Sequence, residues 1–300
     1  MNKKQTHRQK QEKTNNLLGI GFILLACLTM TISALLIRTI GKDLGSFEVV
    51  LIRCSFTLFY VLILNARLGP ALFTSPRPLL LIIRSVILCI IVLGNFYAIV
   101  HLPLVQVTAL QFTKPLFLVV LAALFLSEKI RLPRTLATLC GFIGIVIILQ
   151  PGAEAHPVQI IALTAAMSMA LIAVITKKMT KDHSTNTLVF YGNLFIILVC
   201  IGPTIAYWQT PSLVQLAMIA GLGLSAYAGQ VCMVQAYRYG EATVVTPFEY
   251  VRIIFIAIAG FLIFSEIPDN WTILGAIIIC ASTLFIALRE ARKKHRTKTL

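Results

Sequence analysis

The chain has 300 residues, of which 58% are apolar and only 12% charged, with a mean hydropathy of +0.89 and a net charge of +15. A soluble domain carries roughly 25% charged residues, so this chain lacks the polar surface that water demands. Its connections are too short to hold a soluble domain of any size.

Residues 1–16 (MNKKQTHRQKQEKTNN) form a basic N-terminal tail. Ten apolar runs follow, at 17–37, 47–65, 79–99, 104–126, 135–149, 158–176, 187–207, 213–236, 242–264 and 271–288. A run of about 20 apolar residues is the signature of a helix crossing about 30 Å of hydrocarbon. The first run is too long for a signal peptide and has no clear cleavage site, so it is read as retained. Residues 289–300 close the chain as a second basic tail. The expected fold is therefore an all-α integral membrane protein of ten transmembrane helices.

The basic residues are distributed unevenly about those spans. With the N-terminus in the cytoplasm, the outside loops hold only Arg38 and Lys42, and Arg53, Arg84, Lys114 and Arg252 lie within spans. The rest of the 26 Lys and Arg fall in cytoplasmic segments. Such a split follows the positive-inside rule and places both termini in the cytoplasm. It assigns the charge to membrane topology and contact with anionic lipid rather than to nucleic acid. All seven cysteines sit inside apolar runs, with no CxxC and no neighbouring histidine, and read as packing residues.

The ten spans divide into two similar sets of five. A shift of 138 residues lays Val107, Thr108, Phe117, Ser127 and Glu128 over Val245, Thr246, Phe255, Ser265 and Glu266, and sets Lys114 over Arg252. A shift of 139 lays Met30, Ala34, Lys42 and Asp43 over Met169, Ala173, Lys181 and Asp182. The expected repeats cover 18–151 and 158–288. Five spans per repeat is an odd number, so the second repeat must enter the membrane inverted. The loops obey this: KIRLPR follows Glu128 with three cations, whereas IPDNW follows Glu266 with none. Inverted repeats of this kind build secondary transporters, with the substrate site near the midplane where the halves meet.

Charges within spans cost about 2.5–3.5 kcal/mol each and usually face a cavity or a partner. Lys114 is about ten residues from either end of its span, next to Pro115, which removes a backbone hydrogen bond and can open the helix. Glu249 and Arg252, at i and i+3 in TPFEYVRII, share a helical face one turn after Pro247 and can pair, line a gate, or couple proton movement through Glu249. Arg53 and Arg84 lie closer to span ends, where snorkelling competes with cavity lining. Glu128 and Glu266 stand at span ends and suit a conformational latch or a helix-end contact. In the eighth span, Tyr227 and Gln230 share a face and either line a polar cavity or hold helices together, as do Gln111 one turn before Lys114 and Asn95. The expected substrate-binding set is Lys114, Arg252, Glu249, Arg84, Arg53, Gln111, Tyr227, Gln230 and Tyr250, with Glu249, Glu128 and Glu266 in gating or coupling.

No GxxxxGK[ST] phosphate loop occurs, and IGKD at 40–43 lacks its first glycine. No HExxH is present either. No catalytic residue, metal or cofactor is expected.

LFLSE at 124–128 followed by TLATLCGFIGIVIILQPG, and ATVVTPFEYVRIIFIAIAGFLIFSE at 242–266 followed by WTILGAIIICASTLFI, resemble the EamA-type family of the drug/metabolite transporter superfamily. The resemblance covers both repeats. It implies a ten-helix inverted-repeat carrier with both termini inside, moving small metabolites by proton or gradient coupling. It further implies a central cavity built from the spans at 79–99, 104–126, 213–236 and 242–264. GSFEVVLIRCSF at 45–56 with TSPRPLLLIIRSV at 74–86 looks like the group that includes S-adenosylmethionine uptake carriers. Members that export amino acids or import riboflavin look similar.

The excess of intramembrane cations over Glu249 favours a substrate with an anionic group, such as an amino-acid-like or S-adenosylmethionine-like zwitterion, carried across the inner or plasma membrane by alternating access. A riboflavin or nucleoside-like cargo stacking on Tyr227, Tyr237 and Tyr250 is the second reading. An amino-acid or metabolite exporter stays open, and a membrane enzyme or assembly factor is remote. The expected partners are a small-molecule substrate, protons as a coupling ion, and membrane lipid. Monomer and homodimer are both open.

Overall fold

The computed structural model describes residues 15–64, 77–126, 132–149, 157–179, 185–240 and 242–298, and its regular elements are all helical. In chain order they are α1 (Asn16–Ile40), α2 (Ser46–Leu64), α3 (Pro78–His101), α4 (Leu104–Gln111), α5 (Lys114–Leu126), α6 (Leu132–Leu149), α7 (Pro157–Met179), α8 (Thr185–Ala206), α9 (Leu213–Tyr239), α10 (Ala242–Val245), a 3₁₀ turn (Thr246–Tyr250), α11 (Val251–Phe264) and α12 (Asn270–Lys298). Among the described residues nine segments are long and apolar enough to cross a membrane, and Thr135–Leu149 within α6 is a shorter tenth. Residues 104–126 and 242–264, expected as single spans, are each broken in the middle.

Local chemistry sets the helix starts. The Asn15 side chain accepts the Leu18 N–H at 3.2 Å, and Ser212 and Gln215 form a reciprocal capping box at the start of α9. Asp269 takes the Trp271 and Thr272 N–H groups at the start of α12. Burial pushes the Asp269 carboxyl up, but hydrogen bonds from the Thr272 hydroxyl and N–H and from the Trp271 N–H outweigh it and hold the group below the ordinary aspartate range. Past Leu288 the chain does not leave its helix: α12 runs on to Lys298. The residues after Leu288 expected as a tail are thus largely its last turns, rich in Arg and Lys, which favour helix and whose cations suit a helix C-terminus.

The halves interlock. The first span of each half packs against the third span of the other, α1 on α9 and α7 on α3. Second spans pair with each other (α2 with α8), fifth spans likewise (α6 with α12), and α4 meets α11 at the centre. α1 touches α11 as α7 touches α5. The first-with-third, second-with-second and fifth-with-fifth contacts keep their pattern under exchange of halves, as a two-fold relation between repeats requires. The outer surface is apolar, with Leu25, Leu28, Ile32, Leu139, Ile143, Val146, Ile258 and Leu262 exposed, which is the surface a bilayer demands.

Small residues bring the helix backbones together, since lipid gives no hydrophobic drive between them. A Cβ added at Gly275 on α12 would lie 2.6 Å from the Gly144 carbonyl oxygen on α6, so this pair of fifth spans requires glycine on the α12 side. The middle of the molecule is closely packed. Every residue of α4 from Leu104 to Leu110 is buried, packed with Ile145, Ile148, Ile256 and Ile279.

Candidate functional site at the two helix breaks

The first break follows from Pro115. Proline has no N–H to offer the Gln111 carbonyl four residues earlier, and its ring crowds that carbonyl. α4 accordingly ends at Gln111 and α5 begins at Lys114. Phe112 and Thr113 bridge them in a tightened turn. The Thr113 N–H donates to Leu110 at 3.1 Å, and the Thr113 carbonyl accepts from Leu116 at 2.9 Å and from Phe117 at 3.2 Å. The Thr113 hydroxyl adds a bond to the Leu110 carbonyl at 2.6 Å.

The second break follows Pro247, where the chain winds as a 3₁₀ turn to Tyr250 before α11 starts at Val251. The two breaks are repeat equivalents. The 138-residue shift that sets Lys114 over Arg252 also sets Gln111 over Glu249 and Phe112 over Tyr250, so QFTK at 111–114 matches EYVR at 249–252 in polar, aromatic, small and cationic order. In space the matched rings meet: Phe112 and Tyr250 lie 4.8 Å apart between centroids, tilted by 31°. Two broken helices thus touch at their breaks, and the positive ends of α5 and α11 begin there.

Side chains from other helices fix this centre. The Gln111 amide donates to Asn95 Oδ1 on α3 at 3.1 Å, and Asn95 Nδ2 lies 4.0 Å from Met169 Sδ on α7. The Tyr250 hydroxyl donates to Thr283 on α12 at 2.6 Å. Glu249 accepts from the Tyr237 hydroxyl on α9. The Cys27 thiol on α1 lies 3.6 Å from the Glu249 carbonyl oxygen. The expected Glu249–Arg252 pair is not made, since the 3₁₀ turn hands the carboxylate to Tyr237. Arg252 Nε is buried with no hydrogen-bond partner, and half-buried Lys114 has neither hydrogen bond nor ion pair among the described residues.

The remaining expected residues lie elsewhere. Arg84 is buried and ties α3 to its neighbours, Nε donating to the Thr176 hydroxyl at 3.1 Å and Nη1 to the Leu188 carbonyl at 3.0 Å. It does not snorkel. Arg53, partly buried on α2, lies 3.4 Å from Cys54 Sγ through Nη2. Tyr227 is half-buried and Gln230 exposed on α9, and neither is bonded to the breaks. Glu266 stands at an end of the bundle, paired with Arg38. Glu128 lies outside the described residues.

Sequence reasoning passed over Phe112 and Thr283, took Arg38 only as a loop charge, and marked Asn95 and Gln111 as cavity-lining or helix-holding without the bond the structure gives them. The same 138-residue shift exposes Phe112, whereas Thr283 carries no signal along the chain. Among the described residues no group of three or more His, Cys, Asp or Glu is placed to hold a metal.

Lys114, Arg252, the Glu249 carboxylate and the ring pair all stand at the two breaks, groups able to meet an anion, a cation and a flat surface.

The comparisons agree with this architecture. The EamA-like transporter family model matches residues 17–150 and again 156–288. The S-adenosylmethionine uptake transporter of Rickettsia bellii (strain RML369-C) is 33% identical over 284 residues, covering 94% of this chain and 97% of that protein. The pseudopaline exporter CntI of Pseudomonas aeruginosa (strain UCBPP-PA14) is 29% identical, covering 92% and 97%. The riboflavin transporter of Vibrio cholerae serotype O1 is 33% identical over 201 residues, covering 66% and 67%. A solved crystal structure with 14% sequence identity overlays at a TM-score of 0.61, covering 93% of this chain and 97% of its own, and so shares the fold.

Proposed function

The chain belongs to the EamA-like transporter family, and on that premise we propose that it carries an amino-acid-like or S-adenosylmethionine-like zwitterion by alternating access at its two helix breaks. As a family member it is a multi-pass transporter of the bacterial inner membrane, not an enzyme. The observation that carries the substrate reading is the contact of Phe112 with Tyr250, flanked in the chain by Glu249 and by Lys114 and Arg252, which make no hydrogen bond or ion pair through their side chains among the described residues.

Lys114 and Arg252 bind the substrate's carboxylate, aided by the positive ends of α5 and α11. Glu249 faces its cationic group and, being protonatable, couples proton movement to transport. Gln111 and Tyr250 shape the site, Arg53, Tyr227 and Gln230 line the path to it, and Arg84 holds α3 to α7 and α8. Glu266 and Glu128 act at the matched ends of their repeats, 18–151 and 158–288. The charge asymmetry supports placing both termini in the cytoplasm. Likeness to the S-adenosylmethionine uptake transporters over most of the chain supports the zwitterion.

A riboflavin or nucleoside-like cargo is the second reading, favoured by the ring pair with Tyr237 nearby on α9 and by likeness to the riboflavin transporter of Vibrio cholerae. Thermal-shift titration of the purified protein with amino acids, S-adenosylmethionine, riboflavin and nucleosides separates the two, because a ligand of the folded state raises its melting temperature by mass action. Stabilisation by S-adenosylmethionine or an amino acid, lost in Lys114→Met, is the expected result. Stabilisation by riboflavin or nucleosides alone overturns the zwitterion.

A further inference from the structure

One end of the bundle is tied shut across the two halves. α1 finishes there at Ile40, α3 at His101 and α11 at Phe264, and α4 starts there at Leu104. Arg38 stands at the junction. Its Nη1 donates to the carbonyls of Ile99 at 2.9 Å, Val100, and Leu102 at 3.3 Å, where the end of α3 leaves acceptors without helical partners. Its Nη2 pairs with Glu266 Oε1 at 2.6 Å. Glu266 Oε2 accepts the Leu104 N–H at 2.9 Å, a donor left open at the start of α4. The two side chains are only 16% and 15% exposed. Beside them Lys42 Nζ lies 5.4 Å from the centre of the Phe264 ring.

A second, independent observation is the backbone that aims Glu266. Ser265 has φ 56°, the left-handed conformation, and no other non-glycine described residue has positive φ. Its N–H donates to Phe261 at 3.0 Å and the Glu266 N–H to Gly260 at 3.2 Å, which reverses the chain as α11 ends. Serine adopts this conformation at a cost that its surroundings must offset. The turn points the Glu266 carboxylate back over α1 and α4, where both oxygens are engaged.

Three of these contacts, Arg38 with Glu266, Leu104 with Glu266 and Lys42 with Phe264, join the first half to the end of α11 in the second, while the bonds from Arg38 to Ile99, Val100 and Leu102 lie within the first half and hold its guanidinium in place. Alternating access opens the two ends of a carrier in turn by rocking one part against another, and none of the three cross-half contacts survives separation of the halves here. We propose that Arg38 and Glu266 are the latch of this end, with Arg38 a positioning residue that acts on transport without touching substrate. The latch rests on the transporter fold and not on the identity of the cargo. On the proposed orientation this is the outer end.

The test uses Val107→Cys, a buried site on α4 one turn inside Leu104, labelled by a membrane-impermeant maleimide applied to intact cells, with the chain lacking that cysteine as background. Glu266→Gln and Arg38→Gln are expected to raise the labelling rate about tenfold or more, the size of effect from losing a hydrogen bond to a charged group. Arg38→Lys keeps the charge but loses the forked geometry, and falls between. Ser265→Gly suits the left-handed conformation and labels at the native rate. Native-rate labelling in both glutamine variants overturns the latch. Repeating the labelling on inside-out vesicles tells an inverted insertion from a failed latch. Hydrogen exchange of residues 98–107 reports the same opening without the reporter: faster exchange in Glu266→Gln supports the latch, and unchanged exchange overturns it. Neither readout needs substrate, so a wrong cargo leaves both intact.

Discussion

The break at Phe112–Thr113 and the break at Tyr250 share one backbone plan with different chemistry. Both place an aromatic at the break and a cation just beyond it, and the two aromatics touch. On the first side the residue before the aromatic is a neutral amide, bound by the amide of Asn95. On the second side it is a carboxylate, bound by a hydroxyl. The first break joins two short α-helices through a single tightened turn, whereas the second is drawn out into a whole 3₁₀ turn. An inverted repeat thus supplies a symmetric frame, and the polarity of the site comes from substitutions inside it. Under the proposed function, a symmetric site would read a substrate in two orientations, and the lone carboxylate on one side would select one.

Four measurements break or sharpen that comparison. The largest effect is expected from the cations: Lys114→Met and Arg252→Met each weaken substrate binding by about 10- to 100-fold, the loss of a charge-assisted hydrogen bond, in thermal-shift titration. A loss confined to one of them means that the anion is held by one half alone. Next, Glu249→Gln makes the second break as neutral as the first and costs about tenfold in affinity for a cationic zwitterion. The companion change Gln111→Glu leaves the Glu249→Gln defect in place if orientation matters, and restores counterflow in liposomes if the halves are interchangeable.

The aromatic pair is a smaller term. Tyr250→Phe keeps the ring and removes its bond to Thr283, an expected loss of about 1 kcal/mol in detergent unfolding. Phe112→Leu removes ring–ring attraction of similar size. Equal losses support a shared centre, and a neutral Phe112→Leu does not.

The smallest effect separates the matched loops, IPDNW with its capping acid and KIRLPR with its cations. Asp269→Ala costs about 0.5–1 kcal/mol of stability at neutral pH through the lost cap. The Asp269 carboxyl is held below its ordinary range, so its contribution is complete above that range and fades as pH falls through the lowered value. Melting temperatures of native and Asp269→Ala protein should therefore converge in acid.

Much of the fold is legible along the chain because the bilayer imposes it. A span must be apolar for its whole length, backbone groups must bond within it, and cations stay on one side, so length, hydropathy and charge state the helices and their repeat directly. Pro115 signals that its helix can open, Pro247 is marked only by its place before Glu249, and Lys114 over Arg252 signals that the two segments match. The site was legible only in part. Glu249 and Arg252 look like a pair by spacing, and the structure gives Glu249 to Tyr237 on another helix. Arg84 looks able to snorkel, and the structure buries it against Thr176 and Leu188. Arg38 looks like a loop charge, and it holds two halves together.

What the sequence determined by itself is the set of helices, their inversion and the equivalence of QFTK with EYVR, because these depend on the solvent around each segment and on identity at a fixed shift. What only the tertiary structure decided is which polar side chains find partners, since those partners lie on other helices, 16 residues away for Gln111 and Asn95 and 228 for Arg38 and Glu266. In a low-dielectric interior a polar group takes whatever partner the packing brings within hydrogen-bond reach, and packing is a property of the whole bundle.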